Sequence, residues 1–168
     1  MAPPLVLVHG AIGDHSRWAP LLPDLERHFT VYALDRRGHG ESGDGARPYD
    51  IEREFEDIAA VMDSIGTACN LLGHSYGALC ALGTALHATH LHKLVLYEPT
   101  FHVPGLEVYP PGIRERLQDF LDEGELEQLL ITVLRDIIHI PEEQIVAQRA
   151  APSWESRVAS ARPMVREM

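Results

Sequence analysis

Basic residues, cysteine and long apolar runs are all scarce in this sequence, and each shortage excludes a class of protein. The formal net charge is −11, and Lys93 is the only lysine. Nucleic acids and anionic membranes bind basic surfaces, so neither is expected as a partner. No apolar run approaches the roughly 18 residues of a membrane span, and Met1-Ala2-Pro3-Pro4 lacks the basic and apolar regions that begin a signal peptide.

The two cysteines, Cys69 and Cys80, both lie within apolar stretches. Thiols in such surroundings are typically buried and pack as small hydrophobic side chains. The sequence alone leaves a disulfide between them open, but reduced thiols in the cytoplasm are the simpler interpretation. We therefore expect a cytoplasmic protein.

The apolar residues that are present form short runs typical of buried strands. The chain has 168 residues and is 45% hydrophobic, which suits a globular protein with a sizeable core. Each run is about five residues long, a usual strand length, and the first is apolar on both faces, as expected of a buried strand. The predicted strands cover residues 4–9, 30–35, 68–72 and 93–97.

Predicted helices lie between these strands, at residues 18–29, 51–65 and 76–88. In residues 51–65 the apolar side chains recur with the period of a helix, and acidic residues occupy the opposite face. Alternation of strands and helices is typical of parallel strands joined by crossover helices. The sequence therefore predicts an α/β fold with a mostly parallel sheet.

The pattern changes after Pro99. Residues 100–112 are rich in proline and glycine, and no further strand is predicted beyond them. Amphipathic helices are predicted at about 113–123, 125–139, 142–150 and 153–167. We expect an α/β unit over residues 1–100 and a helical unit over residues 101–168.

The segment Gly73-His74-Ser75-Tyr76-Gly77 places a serine between two glycines, after a predicted strand and before a predicted helix. A nucleophile elbow requires this context, because the serine must lie on a sharp turn between strand and helix. Glycine on either side lets the two backbones approach closely. The segment predicts Ser75 as a nucleophile.

A serine that attacks a carbonyl also needs donors for the oxyanion. The first predicted strand ends at His9-Gly10-Ala11, and parallel strands bring their carboxyl ends to one edge of the sheet. We predict that the N–H groups of Ala11 and Tyr76 form the oxyanion hole. In this arrangement His9 shapes the loop and is not the general base.

Four motifs in this order resemble the α/β-hydrolase fold family. They are His9-Gly10, the segment Asp35-Arg-Arg-Gly-His-Gly-Glu-Ser42, Gly73-His-Ser-Tyr-Gly77, and Leu96-Tyr-Glu-Pro99. The resemblance implies a helical cap over residues 101–168, a Ser–acid–His triad in that chain order, and neither a metal nor an organic cofactor.

The activity that the resemblance implies is hydrolysis of an ester-like bond in a small, partly apolar substrate through an acyl-enzyme. Serine at position 75 argues against relatives with an aspartate nucleophile, such as haloalkane dehalogenases and epoxide hydrolases. Esterases, lipases, thioesterases, carbon–carbon bond hydrolases, haloperoxidase-like enzymes and lyases stay open.

The sequence also departs from the family pattern. Family members usually carry two strands before the His-Gly strand, and they place the acid and the histidine after two further strands beyond the cap. Among the residues present, Glu98 is the candidate acid, and His102 or His139 is the candidate base. We expect that the chain is a fragment of a longer protein, lacking a C-terminal segment, or that it relies on another chain, as in a homo-oligomer.

The remaining candidates concern the substrate pocket and metal binding. Candidate substrate-binding residues are His9, Gly10, His74, Trp18 and Phe101, and Trp154 is a further candidate wall residue. His39 is expected to be structural. His87, His90 and His92 are not expected to hold a metal, because they lie between a helix end and a strand start, away from Ser75.

Two other function classes compete with a serine hydrolase. A truncated or degenerate relative would bind a ligand or partner without catalysis. A nucleotide-binding domain is the other, but the loop after the first strand, residues 10–14, has neither the dinucleotide-binding nor the P-loop glycine pattern.

Overall fold

The computed structural model describes residues 2–46, 48–101, 105 and 109–168. The chain divides into two compact units, Met1–Phe101 and His102–Met168. The first unit contains all the strands of the described residues, and the second is helical. Each unit is described by itself below.

The first unit is built on a parallel sheet of four strands, which confirms the predicted fold class. The strands are β1 (Pro4–Val8), β2 (Thr30–Leu34), β3 (Cys69–His74) and β4 (Leu91–Tyr97). Their order is β2-β1-β3-β4, so β1 and β3 are central and are the most deeply buried. Val8 of β1 is level with Gly73 of β3, and the segments that follow both strands therefore meet at one edge of the sheet.

Helices cover both faces of this sheet. The helices α2 (Ile51–Ile65) and α3 (Tyr76–Ala85) pack on one face, where Val6 and Val8 belong to the same core cluster as Ile58, Met62 and Cys80. Leu5 and Leu7 point to the other face and pack with Trp18. Successive side chains of a strand alternate between the two faces, so a strand covered on both sides must be apolar throughout.

The segment predicted as one helix at residues 18–29 is shorter and broken in the structure. It forms a 3-10 turn at His15–Trp18 and a single α-turn, α1, at Leu22–Leu25. Pro20 and Pro23 explain the difference, because proline supplies no N–H to a helix interior and is tolerated only in the first turn.

Helices of the second unit follow the predicted order. They are α4 (Ile113–Glu123), α5 (Leu126–Thr132), α6 (Glu142–Arg149) and α7 (Trp154–Ala159). A π-helical stretch, Val133–Ile137, continues α5, and a 3-10 segment, Arg162–Glu167, follows α7. Nowhere in the described part of the chain is a helix long and apolar enough to cross a membrane.

Candidate active site

Ser75 lies in a strained backbone conformation at the junction of β3 and α3. It is the N-cap of α3, with φ 54° and ψ −124°, and it is one of only three non-glycine residues with positive φ in the described part of the chain. Its N–H donates a hydrogen bond to the carbonyl oxygen of Tyr97, 2.9 Å away, on β4. Strain of this kind at a non-glycine residue persists only where the surroundings enforce it, and it is concentrated at functional sites.

Two glycines allow the sharp turn at Ser75. A Cβ placed on Gly73 would lie 2.3 Å from the carbonyl oxygen of Gly77, and one placed on Gly77 would lie 2.2 Å from the carbonyl oxygen of His9. Both distances are far below van der Waals contact, so no side chain fits at either position. The glycines thus let α3 begin directly against the ends of β1 and β3.

The loop after β1 lies directly against Ser75. A Cβ on Gly10 would be 3.0 Å from the Cβ of Ser75, so this glycine also permits a close approach. Ala11 follows Gly10, and within the described residues its amide donates to no backbone carbonyl. Tyr76 begins α3, in whose first turn N–H groups lack intrahelical partners. This geometry is compatible with the predicted oxyanion hole, which stays a prediction.

His74 is stacked beside the elbow and interacts with charged side chains. Its ring lies 5.3 Å from the ring of Tyr97, and its Nε2 is 3.4 Å from Nη2 of Arg17 and 3.8 Å from a carboxylate oxygen of Glu98. Burial lowers the pKa of His74, and the nearby Arg17 charge lowers it further. The charge of Glu98 acts in the opposite direction, and the net effect makes His74 harder to protonate than an exposed histidine.

Glu98, the candidate acid, follows the last residue of β4. Its φ is 49°, a left-handed conformation that is unfavourable for glutamate, and its side chain is 71% exposed. The strain and the position next to the elbow are compatible with a functional role. The assignment as the triad acid stays a prediction, as does that of His102, which lies outside the described residues.

His9 is completely buried, and both of its ring nitrogens are engaged. Nδ1 donates to the carbonyl oxygen of Gly10 at 2.8 Å, and Nε2 accepts from the backbone N–H of Arg36 at 3.0 Å. The ring has no exposed surface with which to meet a substrate, so it holds the loop instead. Burial, followed by the charge of Arg36, lowers the pKa of His9 to about 3.

This lowered pKa predicts a contribution to acid sensitivity. The unfolded chain binds a proton at His9 below about pH 6.5, and the folded chain does not until about pH 3, so the free energy of unfolding falls with pH over this interval. Between about pH 7 and about pH 5, His9 is expected to lower the free energy of unfolding by about 2 kcal/mol. Urea unfolding at the two pH values should therefore show a weaker pH dependence for His9→Gln than for the wild type.

A matched control for this experiment is the exposed His28. Replacement of His28 by glutamine should leave the pH dependence unchanged. Equal pH dependence in the wild type and His9→Gln would show that the buried ring does not resist protonation.

The other predicted pocket residues are distributed over both units. Trp18 is buried in the core with Leu5 and Leu7, whereas Phe101 is 46% exposed. Trp154 is buried in the helical unit, where its indole N–H donates to Glu127 at 2.9 Å. His139 is exposed, has φ 60°, and lines a cavity of about 400 Å³ within the helical unit.

A buried polar network beside the elbow was not predicted from the sequence. Arg36 and Glu54 form an ion pair with an N–O distance of 3.0 Å, and each side chain is 1% exposed. The oxygen of Glu54 that accepts from Arg36 lies 3.4 Å from the hydroxyl of Tyr49, whose oxygen is 2.8 Å from the hydroxyl of Tyr76.

His39, expected to be structural, is 1% exposed, and its Nδ1 donates to the carbonyl of Gly13.

One group of side chains in the described residues could offer three ligands to a metal. Atoms of Asp14, His15 and Asp35 lie within 4.8 Å of one another. These atoms already have protein partners: Asp35 accepts from the backbone N–H groups of His15 and Glu41 and from the ring of His15. The hydrogen bond with Asp35 raises the pKa of His15, and when His15 is protonated the two side chains form an ion pair at 2.9 Å.

The neighbouring histidines His87, His90 and His92 lie between the end of α3 and the start of β4, with His92 inside that strand. His87 and His92 are exposed, and Nε2 of His90 lies 3.9 Å from a carboxylate oxygen of Asp63. The three rings do not form a common ligand set in the described part of the chain.

Known proteins are similar to this chain in fold and in sequence. A hydrolase structure from Sphaerobacter thermophilus superimposes with a TM-score of 0.87 and 35% identity, covering 99% of this chain and 65% of that one. A pimeloyl-(acyl-carrier protein) methyl ester esterase from Neisseria meningitidis is 33% identical over 108 residues, 64% of this chain and 41% of the esterase. A dihydrolipoyllysine-residue acetyltransferase component of an acetoin cleaving system from Pseudomonas putida is 40% identical over 83 residues, 49% of this chain and 22% of that protein.

This chain thus spans less than two thirds of the length of each of these relatives. The model of the family described as "Alpha/beta hydrolase family" matches residues 5–167, almost all of the sequence. The chain belongs to the alpha/beta hydrolase family.

Proposed function

We propose that this protein is a serine hydrolase that cleaves an ester-like bond of a small, partly apolar substrate through an acyl-enzyme. The observation that carries the proposal is the elbow at Ser75. Ser75 has a strained backbone between a buried strand and a helix, and the glycines two residues before and after it leave no room for a side chain. Such strain lowers stability and is typical of functional positions.

In the proposed reaction, the hydroxyl of Ser75 attacks the substrate carbonyl, and the amides of Ala11 and Tyr76 donate to the oxyanion that forms. The proton of Ser75 passes to a histidine, for which the candidates in this chain are His102 and His139, and that histidine returns it to the leaving group. Water then releases the acyl group and regenerates Ser75.

The relatives support this reaction class. The Neisseria meningitidis protein is named for cleavage of a methyl ester, and the Pseudomonas putida protein for acyl transfer. Ester hydrolysis and acyl transfer both begin with attack on an acyl carbon. Hydrolysis is the simpler proposal for this chain, because water serves as the acceptor and no second substrate site is needed.

Labelling with a fluorophosphonate tests the proposal, because this probe reacts with activated serine hydroxyls. The full protein should be labelled, and Ser75→Ala should fall to background. Ser64→Ala is the matched control: Ser64 is exposed on α2, and its hydroxyl donates to the carbonyl of Val61. Equal labelling of Ser75→Ala and Ser64→Ala would refute the nucleophile assignment, as would an unlabelled wild type.

A hydrolase-fold protein that binds a ligand without catalysis is the second candidate. The placement of the described histidines near the elbow favours it: His9 and His39 are buried, and His74 faces Arg17 and Glu98. Hydrolysis of a p-nitrophenyl ester that disappears in Ser75→Ala would exclude this candidate.

A further inference from the structure

Arg36 contacts the loop backbone just before Ala11 and the side-chain ring of Tyr76, the two residues predicted to supply the oxyanion donors. We propose that Arg36 is a positioning residue of the oxyanion hole, which fixes the amide of Ala11 and the residue Tyr76 relative to Ser75. This inference rests on the proposed function, since it concerns the same site. It adds a buried side chain that touches no substrate and acts through the loop and through α3.

The guanidinium of Arg36 makes hydrogen bonds with the loop that follows β1. Its Nε donates to the carbonyl of His9 at 3.0 Å, and its Nη2 donates to the carbonyl of Gly10 at 3.3 Å. Nη2 also lies 3.0 Å from Nε2 of His39, which must accept because an arginine only donates. The other nitrogen of that ring donates to Gly13, further along the same loop.

The bond to Gly10 determines where the amide of Ala11 points. A trans peptide is planar, and its C=O and N–H point in opposite directions. Arg36 and the ring of His9 both donate to the carbonyl of Gly10, so they draw this carbonyl into the interior. The N–H of Ala11, in the same peptide plane, is thereby turned away from the interior.

The same guanidinium also contacts Tyr76, the second residue predicted to donate to the oxyanion. Its central carbon lies 4.9 Å from the centre of the Tyr76 ring, a cation–π contact with the first residue of α3. Nη1 donates to Glu54 at 3.0 Å, and Tyr49 connects Glu54 with the hydroxyl of Tyr76. Arg36 is therefore the shared contact of both predicted donor segments.

Lysine cannot reproduce this arrangement, although it would keep the positive charge opposite Glu54. The described bonds use Nε, Nη1 and Nη2 in different directions, whereas lysine offers a single nitrogen. An Arg36→Lys protein should therefore fold but hold the loop less firmly. Because an oxyanion hole acts mainly in the transition state, turnover should suffer more than substrate binding.

The experiment compares Arg36→Lys with Arg37→Lys in the full protein. Arg37 is the neighbouring arginine, and its partner Asp57 is 49% exposed. Active serines are titrated with a fluorophosphonate, and p-nitrophenyl ester hydrolysis is expressed per titrated serine. For Arg36→Lys we expect kcat per site to fall at least about tenfold with KM changed less than about threefold, and for Arg37→Lys neither to change.

A merely structural role gives a different result: fewer titrated serines, each with the kcat of the wild type. That result would overturn the proposal. Hydrogen exchange over residues 9–14 supplies a readout independent of catalysis, and it should be faster in Arg36→Lys than in Arg37→Lys. If the wild type itself does not react with the probe, the proposed function fails, and with it the oxyanion-hole role of Arg36. Faster exchange in Arg36→Lys would then still show that Arg36 holds the loop, and equal exchange would overturn that as well.

Discussion

Replacing Gly77 with alanine is expected to lower the free energy of unfolding by about 3 kcal/mol or more. The new Cβ would lie 2.2 Å from the carbonyl oxygen of His9 and 2.5 Å from that of Val8. Neither atom can move easily, because β1 is held on both sides by β2 and β3. To relieve the clash, α3 would have to move away from the sheet and take Ser75 with it.

Urea unfolding monitored by circular dichroism would measure this loss, with Gly43→Ala as the control. A Cβ on Gly43 meets no atom within 4 Å, and this residue is not among those with positive φ. Its replacement should change the free energy of unfolding by less than about 0.5 kcal/mol. Similar midpoints for the two variants would mean that the close packing of α3 against β1 is not needed for stability.

The sequence predicted the α/β unit well because its signals are local. Each strand is a short apolar run, and the helix at Ile51–Ile65 has a regular apolar stripe, so pattern alone located them. The segment at residues 18–29 was predicted less well. There the apolar pattern suggested one helix, but two prolines limited it to a 3-10 turn and one α-turn.

The part of the site that could be predicted is the part whose backbone geometry follows from a local motif. The segment around Ser75 predicted a turn between strand and helix, and the structure has that turn. The roles of Arg36 and Glu54 depend on contacts between distant segments, which no local pattern gives. One signal was nevertheless present: Glu54 lies three residues after Ile51 and four before Ile58, on the apolar face of the helix. An acid at such a position indicates a buried partner.

Glu54 is the residue whose replacement is expected to cause the second large loss of stability. Glu54→Leu should lower the free energy of unfolding by about 3–5 kcal/mol, because it leaves the charge of Arg36 buried without its carboxylate. Both side chains of this pair are 1% exposed. The hydroxyl of Tyr49 would lose the same acceptor. Urea unfolding near neutral pH would measure the change.

The matched control lies on the same helix. Glu56 also pairs with an arginine, Arg53, at an N–O distance of 3.0 Å, but these side chains are 63% and 33% exposed. Glu56→Leu should cost less than about 1 kcal/mol, because water screens an exposed pair and solvates the arginine that remains. If the cost at Glu54 arises from an uncompensated charge, Arg36→Met combined with Glu54→Leu should be more stable than Glu54→Leu alone. A double variant no more stable than Glu54→Leu would contradict that explanation.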